Sequence, residues 1–119
     1  MDIFIVDLDW DLRRALRLWL SAPGVVVSAF SDPEKAEEFT EADFPDVLIA
    51  AFQLPKLSGV ELIRRMRLRN PCLRAGLVVG PLAEVAPHEH NVCDFVLRTP
   101  CDPQQLLQAV GLPALRTGP

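Results

Sequence analysis

No apolar run in this 119-residue chain approaches the ~18 residues that a membrane-spanning helix needs. No charged segment followed by a signal-type apolar stretch opens the N-terminus. These two absences lead to the expectation of a soluble, cytoplasmic protein without membrane contact. Cysteine is scarce: Cys72, Cys93 and Cys101 are odd in number and lack CxxC spacing, which argues against a disulfide framework or zinc site and for a reducing compartment. A basic excess is also missing. Twelve Lys and Arg face sixteen Asp and Glu, giving a net charge of −4, which argues against direct nucleic-acid binding by this domain but not against a DNA-binding domain attached to it. His88 and His90 flank Glu89 with no further ligand at metal-binding spacing, so no metal is expected, and no cofactor either. Internal repeats and low-complexity segments are absent.

What is present is a 50% hydrophobic chain of single-domain length, able to bury roughly two-thirds of its unfolded surface in one core. Met1 to Val6 is a short apolar run, β-branched and aromatic, that reads as a buried strand ending at Asp7. Asp9, Trp10 and Asp11 place acids at a helix start, and Leu12, Ala15, Leu16, Trp19 and Leu20 recur at helical spacing until Pro23-Gly24. Val25 to Phe30 reads as a second strand. Ser31-Asp32-Pro33-Glu34 opens a helix that runs to about Thr40. Asp46 to Phe52 is a third strand, apolar on both faces from Val47 to Ala51, as a central parallel strand requires. Ser58 caps a third helix, with Val60, Ile63 and Met66 inward and Arg64, Arg65, Arg67 and Arg69 forming a solvated outer face; Asn70-Pro71 ends it. Ala75 to Val79 and Phe95 to Arg98 are two more strands, and Asp102-Pro103 opens a last helix through Val110. Between those two strands, Pro81 and Pro87 leave room for only a turn or two of helix.

This alternation predicts an α/β fold: a single doubly wound five-stranded parallel sheet with helices on both faces and right-handed crossovers. The fourth helix would be short or irregular. Residues 1–110 would form the domain and 111–119 a C-terminal tail or linker. In such folds chemistry gathers at the carboxyl ends of the central strands, here Asp7, Ala51 and Val79 with the residues just after them.

Ile5-Val6-Asp7 with Asp9, Pro45-Asp46, Leu54-Pro55 with Gly59, and Pro100 with Asp102-Pro103 occur in one order and at one set of spacings. In that joint pattern the chain resembles the receiver domain of bacterial response regulators. The resemblance implies the flavodoxin-like strand order 2-1-3-4-5 and a cis Thr99–Pro100 peptide. It also implies a five-part site. Two acids after the first strand hold magnesium, and an aspartate ending the third accepts a phosphoryl group. A Thr or Ser ends the fourth strand, and a Lys before a proline ends the fifth. Cation and lysine neutralise oxygens whose charge otherwise opposes attack by a carboxylate.

Here most parts differ. Asp7 fills the first acidic position, Leu8 stands at the second, and Asp9 follows. Counting back four residues from Pro55 puts the phosphoacceptor position at Ala51, flanked by Ala50 and Phe52. A methyl group offers no nucleophile, and Asp46 lies at the other end of that strand. The Thr/Ser position falls on Val79, or on Gly80 after a one-residue slip. The Lys position falls on Thr99 counted from Pro100, or on Arg98 counted from Phe95. The resemblance is therefore to a degenerate member, a pseudo-receiver, with no catalytic residue and a vestigial site at Asp7, Leu8, Asp9, Ala51, Val79, Arg98, Thr99 and Pro100.

Asp7 reads either as a remnant of a metal site or as a strand-end acid, solvated or hydrogen-bonded to the following helix. Asp9 and Asp11 read as first-turn acids. Trp10 suits a partner contact or folds back over the vestigial pocket. Gln53 is a ligand contact or a solvated loop residue. The cysteines read as small buried or half-exposed hydrophobes.

The expected function is a non-enzymatic signalling module of the two-component or phosphorelay class. It would act on a protein partner or an attached effector domain, and the resemblance to the family's output faces implies that it does so through the fourth-helix region, the fifth strand and the last helix. The alternatives are a small-molecule sensor with its ligand above Asp7, Gln53 and Gly80, or the regulatory domain of a larger response regulator or transcription factor. Oligomeric state is open, a dimer included.

Overall fold

Strands β1 (Asp2–Val6), β2 (Val26–Phe30), β3 (Val47–Ala51), β4 (Arg74–Val79) and β5 (Phe95–Arg98) alternate with helices α1 (Trp10–Trp19), α2 (Pro33–Phe39), α3 (Gly59–Arg69), α4 (Pro87–His90) and α5 (Pro103–Val110) in the computed structural model of the chain, which describes residues 1–112. The strands form one parallel sheet in the order β2-β1-β3-β4-β5, as expected. Strand ends shift by a residue from the sequence reading: β2 opens at Val26, β3 spans Val47–Ala51 and β4 opens at Arg74.

Alternation of side chains along the central strands feeds two cores. Ile3, Ile5, Val47 and Ile49 face Leu16 of α1, Leu20 at its C-cap, and Leu106, Leu107 and Val110 of α5. Phe4, Val6, Leu48 and Ala50 face Ala36 of α2 and Val60, Leu62, Ile63 and Met66 of α3. Phe4, Phe30 and Phe39 form a ring cluster at the α2 side, with centroids 5.1–5.7 Å apart. β3 is buried along its whole length, which explains its unbroken apolar run.

The helix starts follow from capping chemistry. Asp9 accepts from the amides of Asp11 and Leu12, Asp32 from Glu34, Ser58 from Glu61 and Asp102 from Gln104. Each such cap is worth about 1 kcal/mol. α5 ends at Gly111 in the left-handed region, φ 84°, where only glycine avoids a Cβ penalty. Gly111 caps this helix and Leu112 follows it. The Leu112 amide donates to the Leu107 carbonyl at 2.8 Å, and its side chain packs on the α1/α5 core. The rest of the expected tail, 113–119, lies outside the described residues.

α4 is a single turn of four residues, as the two prolines require. The arginines of α3 do not form the solvated outer face expected from helical spacing. Arg67 is half-buried, donating to the carbonyls of Leu73 and Val92 and to the Asp94 carboxylate at 2.6 Å. Arg65 pairs with Glu37 at 3.1 Å, and Arg69 donates to the Thr40 hydroxyl while lying over the Phe44 ring. Long guanidinium side chains lie along apolar surface and reach acceptors on neighbouring elements, which helical spacing alone does not reveal. Cys72 is exposed and departs from the expected burial, whereas Cys93 and Cys101 are half-buried. Burial pushes both of those thiols above their ordinary value. Among the described residues no helix is long and apolar enough to cross a membrane.

Candidate functional site

The sheet register brings the carboxyl ends of β1, β3, β4 and β5 to one edge: Val6 pairs with Ala50, Ala51 with Val78, and Val79 with Arg98. The residues at and just beyond those ends enclose an open cleft of about 270 Å³, lined by Asp7, Asp9, Ala51, Gln53, Val79 and Thr99 among others. The cleft is shaped by a close backbone contact. A Cβ on Gly59 would stand 2.2 Å from the Ala51 carbonyl oxygen and 2.7 Å from Leu77, so only glycine lets α3 begin this near the end of β3.

Asp7 is 7% exposed. Its carboxylate accepts from the Asp9 amide at 2.9 Å, in the manner of a strand-end acid tied to the next helix. Desolvation by burial pushes its carboxyl above the usual carboxylate range, opposed by the Asp9 amide bond and by Arg13. Leu8 points away from the cleft lining and is 64% exposed. Asp9 is committed as the α1 cap. Ala51 offers the cleft only its methyl group and backbone. Val79 is buried.

Thr99 and Arg98, the two alternatives at the lysine position, part company here. Thr99 lines the cleft, its amide donating to the Val79 carbonyl at 2.9 Å, and the Thr99–Pro100 peptide is cis. The Arg98 guanidinium turns away and donates to the carbonyls of Gly80 at 3.3 Å and Ala83 at 2.7 Å. Trp10 does not fold over the cleft. It stands 59% exposed on α1 with the Arg14 guanidinium over its ring. Gln53 is exposed at the mouth, and its backbone bridges to Ser58.

Two site features were not apparent from sequence. Arg13 donates to the carbonyls of Asp7 at 2.6 Å and Leu8 at 3.0 Å, fixing the turn that carries the acids; its position four residues after the cap was the available signal. Arg98 as a tether of the loop after β4 left no signal, because its acceptors are backbone atoms.

Among the described residues, the cleft lining contains two acids and no Lys, Arg or His. A phosphoryl anion there meets the two carboxylates with no basic side chain of the described residues in the lining to offset them. The residues do not fit a magnesium ion. Asp9 is engaged as a cap, Asp7 accepts a hydrogen bond from the Asp9 amide, and among the described residues no group of three or more His, Cys, Asp or Glu converges at metal-holding distance.

The family profile described as Response regulator receiver domain matches residues 3–110. The C4-dicarboxylate transport transcriptional regulatory protein DctD of Rhizobium meliloti is 31% identical over 100 residues, covering 81% of this chain and 22% of that protein. The response regulator MprA of Mycobacterium ulcerans is 37% identical over 65 residues, covering 55% of this chain and 28% of that protein. The chain therefore spans about a quarter of these relatives. Among solved structures, a response regulator from Chloroflexus aurantiacus superposes with a TM-score of 0.80 at 24% identity, covering 92% of this chain and 97% of that one, which shows the shared fold. With fold, sheet edge and profile in agreement over nearly its whole length, the chain belongs to the family of response regulator receiver domains.

Proposed function

We propose that this receiver domain does not take up phosphate and signals by contact with a protein, either an effector domain attached to it or a separate partner. The observation that carries this reading is Ala51, a methyl group at the end of β3 where the family resemblance places the phosphoacceptor. Three further features support it. The cleft lining has no basic side chain among the described residues, Thr99 stands where a lysine is expected, and Arg98 is spent on the loop after β4. The contact surface we assign is α4, β5 and α5 with the preceding loop, where Leu82 is 93% exposed. The longer transcriptional regulators it resembles support an attached effector. A reducing cytoplasm suits its three free cysteines.

Beryllofluoride, a phosphoryl mimic, tests the reading. Added with magnesium to isotope-labelled protein, it is expected to leave the amide resonances of Ala51, Val79–Ala83 and Arg98–Thr99 unmoved. Saturable shifts at those positions would contradict it.

A further inference from the structure

A second cleft, of about 340 Å³, lies outside the vestigial site, between α1 and the sheet-edge strand β2. Trp10, Arg13, Arg14, Arg17 and Ala29 line it. The four α1 residues fall within an arc of roughly 100° of the helix surface. Three arginines thus line one concavity of a chain whose net charge is −4, and among the described residues no carboxylate lines it. The ion pairs among the described residues take other cations, namely Lys56, Arg65 and Arg67. Arg17 has neither hydrogen-bond nor ion-pair partner among the described residues, and Arg14 has only the indole of Trp10, 5.4 Å from the ring centroid. Arg13 is held by two backbone carbonyls, so its position is set before any ligand arrives.

Neighbouring like charges repel one another, and a bound anion relieves that repulsion for Arg14 and Arg17, which have no ion-pair partner among the described residues. Guanidinium forks match phosphate oxygens in pairs. The exposed indole offers a flat apolar face of the kind on which nucleobases stack. The volume lies near the lower end of small-ligand sites, about 300–1,000 Å³. A compact anion fits better than a long one. Across the β2 edge, on the other face of the sheet, α2 carries Glu34, Glu37 and Glu38, which repel a polyanion crossing from one face to the other.

We propose that this cleft binds a nucleoside phosphate, with Arg13, Arg14 and Arg17 on the phosphates and Trp10 stacked on the base. The two clefts share no lining residue, so this inference is tested apart from the reading above.

Titration of the isotope-labelled chain at physiological salt tests it, using adenosine triphosphate, inorganic tripolyphosphate and adenosine as separate probes. Adenosine triphosphate is expected to shift the amides of α1 and Ala29 and the Trp10 indole signal, with tripolyphosphate weaker and adenosine weakest. Arg14→Gln and Arg17→Gln should each weaken binding about tenfold, the loss of one charge-assisted hydrogen bond, with melting temperature unchanged. Trp10→Leu should reduce adenosine triphosphate to the affinity of tripolyphosphate. The proposal is overturned by no shift at millimolar ligand, by equal affinity for adenosine triphosphate and tripolyphosphate in the unaltered chain, by shifts centred on the Arg64–Arg69 face, or by tighter binding of an acidic peptide or single-stranded DNA at the same residues.

Discussion

The carboxyl of Asp7 lies just past the end of β1, nearly closed from solvent, with one amide donor and, among the described residues, no ion-paired cation. Burial raises its pKa, so the fold favours the neutral form. The linkage sign follows: the stability gained from the protonated group is present below the ordinary carboxylate range and is lost as pH rises through the raised native value. At neutral pH the ionised group is a cost. Asp7→Asn keeps an oxygen for the Asp9 amide and removes the charge. It is expected to raise the melting temperature by a few degrees at pH 7 and by nothing at pH ~3, as thermal unfolding across pH would show. Gly59→Ala is expected to destabilise by about 1–3 kcal/mol in denaturant unfolding, because its new methyl meets the Ala51 carbonyl and Leu77. Counting from Pro55 and Pro100 made Ala51 and Thr99 legible in the sequence. Arg13 and Arg98 were not, since their partners are backbone carbonyls that no residue code marks.

Between β4 and β5 the chain has one helical turn and an irregular loop, and two arginines brace this region from different elements. Arg98 of β5 holds the carbonyls of Gly80 and Ala83, and Arg67 of α3 holds those of Leu73 and Val92 with the Asp94 carboxylate. Asp94 in turn accepts from the Ala75 amide at 2.8 Å, so the α3 brace reaches into β4. Arg98→Met is expected to speed amide exchange across Gly80–Ala86 while changing global stability by less than about 1 kcal/mol, since local opening of a loop is separable from global unfolding. Arg67→Met should cost about 2–3 kcal/mol in denaturant unfolding, because it strips half-buried acceptors of a charged donor. Short α4 was legible from Pro81 and Pro87. The braces were not: helical periodicity placed Arg67 outward, and only the tertiary neighbours show where its long side chain ends.

Over the whole molecule, continuous apolar runs in β1 and β3, flanked by amphipathic helices, were enough to fix a doubly wound sheet. Parallel strands buried on both faces have few other arrangements. The family resemblance supplied the strand order, which the structure shows. The α1/β2 cleft escaped the sequence reading because it depends on α1 packing beside an edge strand that is distant in sequence. The account's central claim is that the sheet edge lacks an acceptor for phosphate. Its most direct test is the intact mass of the protein after incubation with acetyl phosphate and magnesium. No gain of a phosphoryl group is the predicted result; a stoichiometric gain that disappears in Asp7→Asn would contradict the account.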